Sequence, residues 1–425
     1  MVHAETVSKR SPAVPILLAI IAGGVLAVVF ALMTARSGSE PVVTGSVLLA
    51  FGLGWALMAW LTIRFSSQPQ RWMYVPAAAL AGVGAVLAVL QPGPSVMDLL
   101  GWVWPVALVV LAVWMFVQLR RELRGVGRWL VGALVAALLL MSVAGGFMTL
   151  AARAPAPAAH GQLVDIGGRR LYLQCEGTGG PVVILQAGLG GDSTSWDHIR
   201  PSVAANTTVC SYDRAGHGRS DDAPEPQDGN AIARDLHDLL GKAGIAGPYV
   251  MAAHSSGGPY LRVFAGLYPA DVLGMVLIDP QPADAFTALP DYPSIYDTLV
   301  LTGGVAPSLA RIGLLGPIFG VAPTQASAAV ARSQRNEFRI LPTALDQAAK
   351  VTSIGDVPLI IVSASADLQR GWAEAQEEQV ALSTNAVHRV IAGATHDSLL
   401  DADRGASAQA ILDVVAAVRE GTLVR

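Results

Sequence analysis

Tyr249-Val250-Met251-Ala252-Ala253-His254-Ser255-Ser256-Gly257-Gly258-Pro259-Tyr260 is an apolar run that breaks into a serine between small neighbours. Tyr249–Ala253 reads as a buried strand. Pro259–Tyr268 reads as a helix whose proline fits the first turn, where its missing N–H is harmless. A serine on a sharp strand-to-helix turn needs small residues two before and two after it, because such a turn packs closely. Ala253 and Gly257 meet that need around Ser255; Ser256 would put His254 at the first small position and fails. Ser255 is therefore the candidate nucleophile. Its hydroxyl becomes reactive only with a base to take the proton and donors to hold the oxyanion, so both are expected elsewhere in the chain.

The strand Tyr249–Ala253 has companions on both sides. Gln162–Ile166 and Arg170–Cys175 read as a hairpin across Gly167-Gly168, and Pro181–Gln186 and Thr207–Tyr212 are short apolar runs. A helix is expected from Ile232 to Lys242, with Ile232, Leu236, Leu239 and Leu240 on one face. Leu273–Ile278, Pro358–Val362 and His388–Ile391 complete the strands, with helices near Ala373–Leu382 and Ala408–Val418. Apolar strands interleaved with helices predict an α/β fold, a mostly parallel sheet covered on both faces. Residues 281–356 interrupt the alternation. They are too long and too apolar for a loop and are expected to form a helical cap.

These residues together resemble the α/β-hydrolase fold, with the similarity covering about residues 161–420. Gln186-Ala187-Gly188-Leu189-Gly190 stands where that family carries its oxyanion loop, although Ala187 replaces the family's histidine. The resemblance implies backbone N–H donors at Leu189 and Ser256. Asp213-Arg214-Ala215-Gly216-His217-Gly218-Arg219-Ser220 resembles the family's Asp-x-x-Gly-x-Gly-x-Ser turn, read as structural. The family's order is nucleophile, acid, base. His396, in Gly393-Ala394-Thr395-His396 after the last strand, fits the base. His160, His217, His237, His254 and His388 lie in a linker, a glycine turn, a helix, the serine turn and a strand. The acid is placed at Asp367, which ends the Pro358–Asp367 strand and loop; Asp279, ending the preceding strand, is the alternative. In the sheet order the resemblance implies, the strands carrying Cys175 and Cys210 are neighbours, compatible with either a disulfide or two buried thiols.

The N-terminal 150 residues are of another kind. The whole 425-residue chain is 52% hydrophobic and 14% charged, and the deficit of charge lies almost wholly in this region. Five stretches approach the ~20 apolar residues that cross a bilayer: 13–34, 42–63, 74–90, 99–118 and 129–150. They predict a membrane-spanning region rather than a soluble bundle or a cleaved leader. One set of connections carries Lys9, Arg10, Arg64, Arg71, Arg120, Arg121, Arg124 and Arg128; the other carries Arg36 and Arg153. Positively charged connections favour the cytoplasm, so the N-terminus is expected inside and everything after five crossings outside. A Pro/Ala linker, 151–160, leads into the hydrolase-like part, 161–425.

The expected function is a membrane-anchored serine hydrolase acting on an ester-type, lipid-like acyl substrate through an acyl-enzyme. The alternatives are an acyltransferase working on cell-envelope components and a non-catalytic membrane receptor with a degenerate hydrolase domain. The partners expected are the ester substrate and membrane lipids. A net charge of −4 and the lack of any basic run argue against nucleic acid. No dinucleotide fingerprint or metal-ligand spacing occurs, so no cofactor and no metal are expected. No ionisable residue interrupts the five spans, which argues against a transport path.

Overall fold

The computed structural model describes residues 11–151, 160–223, 226–320 and 326–425. Nearly all of the expected 151–160 linker, and Lys9, Arg10 and Arg153 of the charge count, lie outside the described residues. The chain divides into two compact units, one of residues 1–155 with 300–335 and one of 156–299 with 336–425.

The first unit begins with α1 (Ala13–Ala35), α2 (Glu40–Phe65), α3 (Tyr74–Leu90), α4 (Pro94–Glu122) and α5 (Val126–Ala151). Each is long and apolar enough to cross a membrane, α3 together with the 3-10 turn in front of it. Prolines at the starts of α2 and α4 suit first-turn positions, where no N–H partner is needed. Glycines bring α2 and α3 together: a Cβ at Gly45 would lie 2.5 Å from the Gly84 carbonyl, and the reverse holds too. Small residues of this kind let apolar helices approach without a solvent-driven core. The outward faces stay apolar, with Val28, Val86, Val106, Leu140 and Phe147 all more than half exposed.

The second unit holds an eight-stranded sheet. Its strands are β1 (Gln162–Asp165), β2 (Arg170–Glu176), β3 (Val183–Gln186), β4 (Val209–Tyr212), β5 (Tyr249–His254), β6 (Val272–Ile278), β7 (Leu359–Ala364) and β8 (Ala386–Ile391). The order is β1-β2-β4-β3-β5-β6-β7-β8; β1, β2 and β4 pair antiparallel and the rest are parallel. Strands β3 to β7 are buried along most of their length, which is why they read as continuous apolar runs. Helices α6 (Arg200–Ala204), α7 (Gly229–Lys242) and α8 (Gly257–Leu267) fall between strands β3 and β6. Asp228 caps α7, its carboxylate accepting from the Ala231 N–H at 2.8 Å. Leu236, Leu239 and Leu240 of α7 and Leu261 and Phe264 of α8 pack on one face of the sheet.

Between β6 and β7 the expected cap is helical: α9 (Ala285–Ala288), α10 (Tyr292–Arg311), α11 (Leu315–Phe319) and α12 (Ala328–Ala349). It is not a single body, however. Residues 300–335 belong with α1 to α5, and the physical reason is plain within that unit. Arg311 pairs with Glu40 and, at 3.0 Å, with Asp98; Arg332 reaches the same two carboxylates at 3.4 and 3.1 Å. The Ser308 and Thr44 hydroxyls meet at 2.8 Å. Backbone approaches are closer still, since a Cβ at Gly304 would strike the Ala35 carbonyl at 2.1 Å. After β7 come α13 (Trp372–Glu378) and, beyond β8, α14 (Arg404–Glu420), whose Ile411, Val414 and Val415 cover the other sheet face.

Cys175 and Cys210 are opposite one another in the β2–β4 register and joined as a disulfide, resolving the choice between bond and thiols.

Candidate active site

Ser255 lies where β5 passes into α8, with a backbone φ of 56°. A left-handed conformation is costly for a residue with a side chain, and it persists only where the surroundings impose it. Here they do: the Ser255 N–H donates to the Ile278 carbonyl, and the Ser255 carbonyl accepts from Gly258 and Gln281. The need for small neighbours is visible in the packing. A Cβ on Gly257 would sit 2.7 Å from the Gln186 carbonyl. Ala253 is fully buried.

A cavity of about 250 Å³ opens at this turn. Ser255, His396 and Asp279 line it, beside Leu189, Gln281, Tyr292, Ile295, Leu299, Leu368 and Trp372. His396 Nδ1 is 2.6 Å from Asp279 Oδ2. His396 therefore has a different carboxylate from the one the spacing favoured. Asp367 lines the same cavity but is solvent-exposed and makes no hydrogen bond to His396. Asp279 is buried, and its other oxygen accepts from Trp372 Nε1 at 3.0 Å and from the Ala364 N–H at 3.2 Å. Burial works to raise the Asp279 pKa. The hydrogen bonds from His396 and Trp372 and the His396 charge outweigh it, and the carboxyl stays below its usual value.

His254 lies against His396. Its ring centroid is 4.4 Å from that of His396, and its Nε2 is 3.1 Å from the His396 carbonyl. Burial, reinforced by the neighbouring His396 charge, pushes the His254 imidazole down to about 4. It is neutral at ordinary pH.

Residues 187–190, expected to form an oxyanion loop, arrive from the end of β3. Gly188 lies against Ser255, where an added Cβ would be 2.9 Å from Ser255 Cβ. Among the described residues neither the Leu189 nor the Ser256 N–H donates to another protein group, so both remain available. Arg214 and Glu337 hold this loop from behind. Arg214 donates to the carbonyls of Ala187 at 2.7 Å and Gly188 at 2.8 Å. Glu337 of α12 accepts from the Gly190 N–H at 2.7 Å. Burial would raise the Glu337 pKa, but the charges of Arg214 and His217 carry it down to about 2. The turn 213–220 is structural as expected: Asp213 accepts from the N–H groups of Ser193 and Arg219 at 2.7 and 2.8 Å. Its Arg214 and His217 also pair with Glu337, which accepts from the Gly190 N–H.

The family profile described as alpha/beta hydrolase fold matches residues 181–313, from β3 into α10. The sheet order, the serine turn and that match agree. The second unit has the α/β-hydrolase fold. The chain is similar to the Cif epoxide hydrolase from Acinetobacter nosocomialis, at 12% identity and a TM-score of 0.53, over 66% of this chain and 96% of that one. It is also similar to lip1 from Acinetobacter baumannii AYE, at 18% identity and a TM-score of 0.50, over 66% and 97%. At such identities these likenesses speak for the fold alone. An uncharacterized protein of Schizosaccharomyces pombe (strain 972 / ATCC 24843) is 26% identical over 222 residues, 49% of this chain and 41% of that protein. The chain spans less than half the length of the curated relatives it matches.

Among the described residues no group of three or more His, Cys, Asp or Glu side chains is placed to hold a metal ion.

Proposed function

We propose that this chain is a serine hydrolase that cleaves ester-type bonds through an acyl-enzyme and is tethered to a membrane by α1 to α5. The observation that carries the reading is the 2.6 Å pairing of His396 Nδ1 with the buried Asp279, on the same cavity as Ser255. With Nδ1 committed to Asp279, Nε2 is the nitrogen left for the serine. His396 takes the Ser255 proton through Nε2 as Oγ attacks the carbonyl carbon. The Leu189 and Ser256 N–H groups hold the resulting oxyanion. Asp279 keeps the ring in the right tautomer and stabilises the imidazolium. His396 then gives its proton to the departing alkoxide, leaving Ser255 acylated. A water molecule, deprotonated by the same nitrogen, attacks the acyl carbonyl; His396 returns the proton to Ser255 Oγ as the Oγ–acyl bond breaks, and the carboxylic acid leaves.

The cavity favours an acyl group that is apolar along its sides, since Leu189, Ile295, Leu299, Leu368 and Trp372 surround the nucleophile. Lipid-like esters fit that lining and the membrane setting. The membrane reading rests on five helices of spanning length whose outward faces are apolar. The uneven distribution of Lys and Arg supports an inside N-terminus and an outside hydrolase domain. The Cys175–Cys210 bond suits an oxidising compartment. Segment 300–335 meets the helices at Ala35, Glu40 and Asp98, the ends from which the chain emerges after an odd number of crossings.

Reaction of the full chain in detergent with a fluorophosphonate probe tests the chemistry. One probe per chain is expected on wild type and none on S255A; an unlabelled, folded wild type would overturn the reading. Hydrolysis rates on esters of graded chain length then test the substrate class, and a preference for the shortest esters counts against lipid-like acyl groups.

A further inference from the structure

Glu337 is an expensive residue to keep. Its side chain is 4% exposed, and an isolated carboxylate in that position would cost several kcal/mol in lost hydration. Its hydrogen bonds reach three other segments of the chain. Oε1 accepts from Arg214 Nη2 at 2.8 Å and from the Tyr260 hydroxyl at 2.9 Å; Oε2 accepts from the Gly190 N–H at 2.7 Å and lies 3.0 Å from His217 Nε2. Arg214, held in place by that carboxylate, grips the Ala187 and Gly188 carbonyls. Three consecutive peptide units of this loop are thus held, through two carbonyls before Leu189 and the amide after it. Tyr260 stands in the first turns of α8, the helix that begins one residue after Ser256. One buried carboxylate therefore ties together the backbone segments that carry both oxyanion donors.

A purely architectural ion pair holding α12 to the sheet would not need this arrangement. Leu341, Leu345 and Ala344 of the same helix are fully buried and already supply apolar anchorage. What apolar packing cannot do is orient a peptide plane. The Gly188 carbonyl and the Leu189 N–H belong to one trans peptide and point in opposite directions, so holding that carbonyl fixes the direction of the N–H.

We propose that Glu337 is a positioning residue for acyl transfer at Ser255: with Arg214 it sets the Leu189 N–H against the developing oxyanion. The proposal rests on the serine-hydrolase reading above. Glu337 touches no substrate atom, and its effect is confined to the transition state, which alone carries the oxyanion charge.

The test uses the full chain in detergent, with active sites counted by the end-point stoichiometry of fluorophosphonate labelling and rates followed on a p-nitrophenyl ester. In E337Q the kcat per labelled site should fall by about 10- to 100-fold, with KM within about threefold of wild type. Binding of a trifluoromethyl ketone, which forms the oxyanion adduct, should weaken by a similar factor. E337D should recover part of both losses. A folded E337Q with wild-type kcat and ketone affinity overturns the proposal, as does a rise in KM that accounts for the whole effect. If E337Q does not fold, Y260F decides, because it removes one hydrogen bond to the same carboxylate and leaves every charge in place. A several-fold drop in its kcat at constant KM supports the proposal, and an unchanged kcat overturns it. Absence of labelling in wild type would instead strike at the serine-hydrolase reading itself.

Discussion

Asp279 and His396 are 117 residues apart in the chain and 2.6 Å apart in the structure, whereas Asp367 is nearer in sequence and unbonded to the ring. The two aspartates are otherwise alike. Each follows a buried parallel strand, Asp279 directly after β6 and Asp367 three residues past β7, and each has a left-handed backbone, with φ of 41° and 57°. Their surroundings separate them. Trp372 Nε1 and the Ala364 N–H converge on Asp279, while Asp367 faces solvent.

D279N should therefore lose activity on the order of 1,000-fold or more in kcat, because the ring loses both its tautomer and its counter-charge. D367N should stay within about threefold of wild type. Steady-state kinetics on one ester decides between them, and a reversed ranking would return the acid to Asp367.

Gly188 is the second point of leverage. A methyl group there would lie 2.9 Å from Ser255 Cβ and 3.2 Å from the His254 carbonyl, so the oxyanion loop or the serine turn must shift. G188A is expected to fold and to lose at least about 10-fold in kcat, since small misplacements at a reacting centre are costly. Equal kcat values for G188A and wild type would show that the loop has room it is not seen to have.

The serine turn was legible because its constraint is local. Steric crowding at Ala253 and Gly257 acts within five residues, and the strands around it announced themselves by continuous apolar runs. The five long helices were legible for the same reason, as length and composition set them. The carboxylate that meets His396 was not, because the choice between Asp279 and Asp367 depends on Trp372 and Ala364, which carry no mark in the sequence. The division of the cap was hidden for a related reason. Arg311 and Arg332 read as ordinary helix charges until Glu40 and Asp98, more than 200 residues earlier, are seen to meet them. Glu337 is the same case, a lone glutamate on a helix whose partners lie on three other segments.

The Cys175–Cys210 bond spans 35 residues between neighbouring strands. Closing a loop of that length contributes about 3–4 kcal/mol in the chain-entropy account. A C175A/C210A double variant should melt at a clearly lower temperature, and the reduced wild type should move with it. The bond also reports on address. Thiol alkylation of intact cells, before and after reduction, should find both cysteines protected until reductant is added. Free thiols in freshly quenched cells would argue for a reducing compartment.

His254 gives the protein a pH dependence separate from catalysis. In the unfolded chain its imidazole has an ordinary value of 6.5, and in the folded protein burial and His396 bring it to about 4. Between those values the unfolded state binds the extra proton, so stability rises with pH through the window and falls as the solution is acidified from about 6.5 toward about 4. The size of that loss is on the order of 3 kcal/mol. H254Q keeps a polar side chain near the His396 carbonyl and removes the titration. Melting temperatures of wild type and H254Q at pH 7 and pH 4.5 should show a smaller acid-induced drop in the variant. Equal drops in the two proteins would mean that the acid sensitivity comes from other groups.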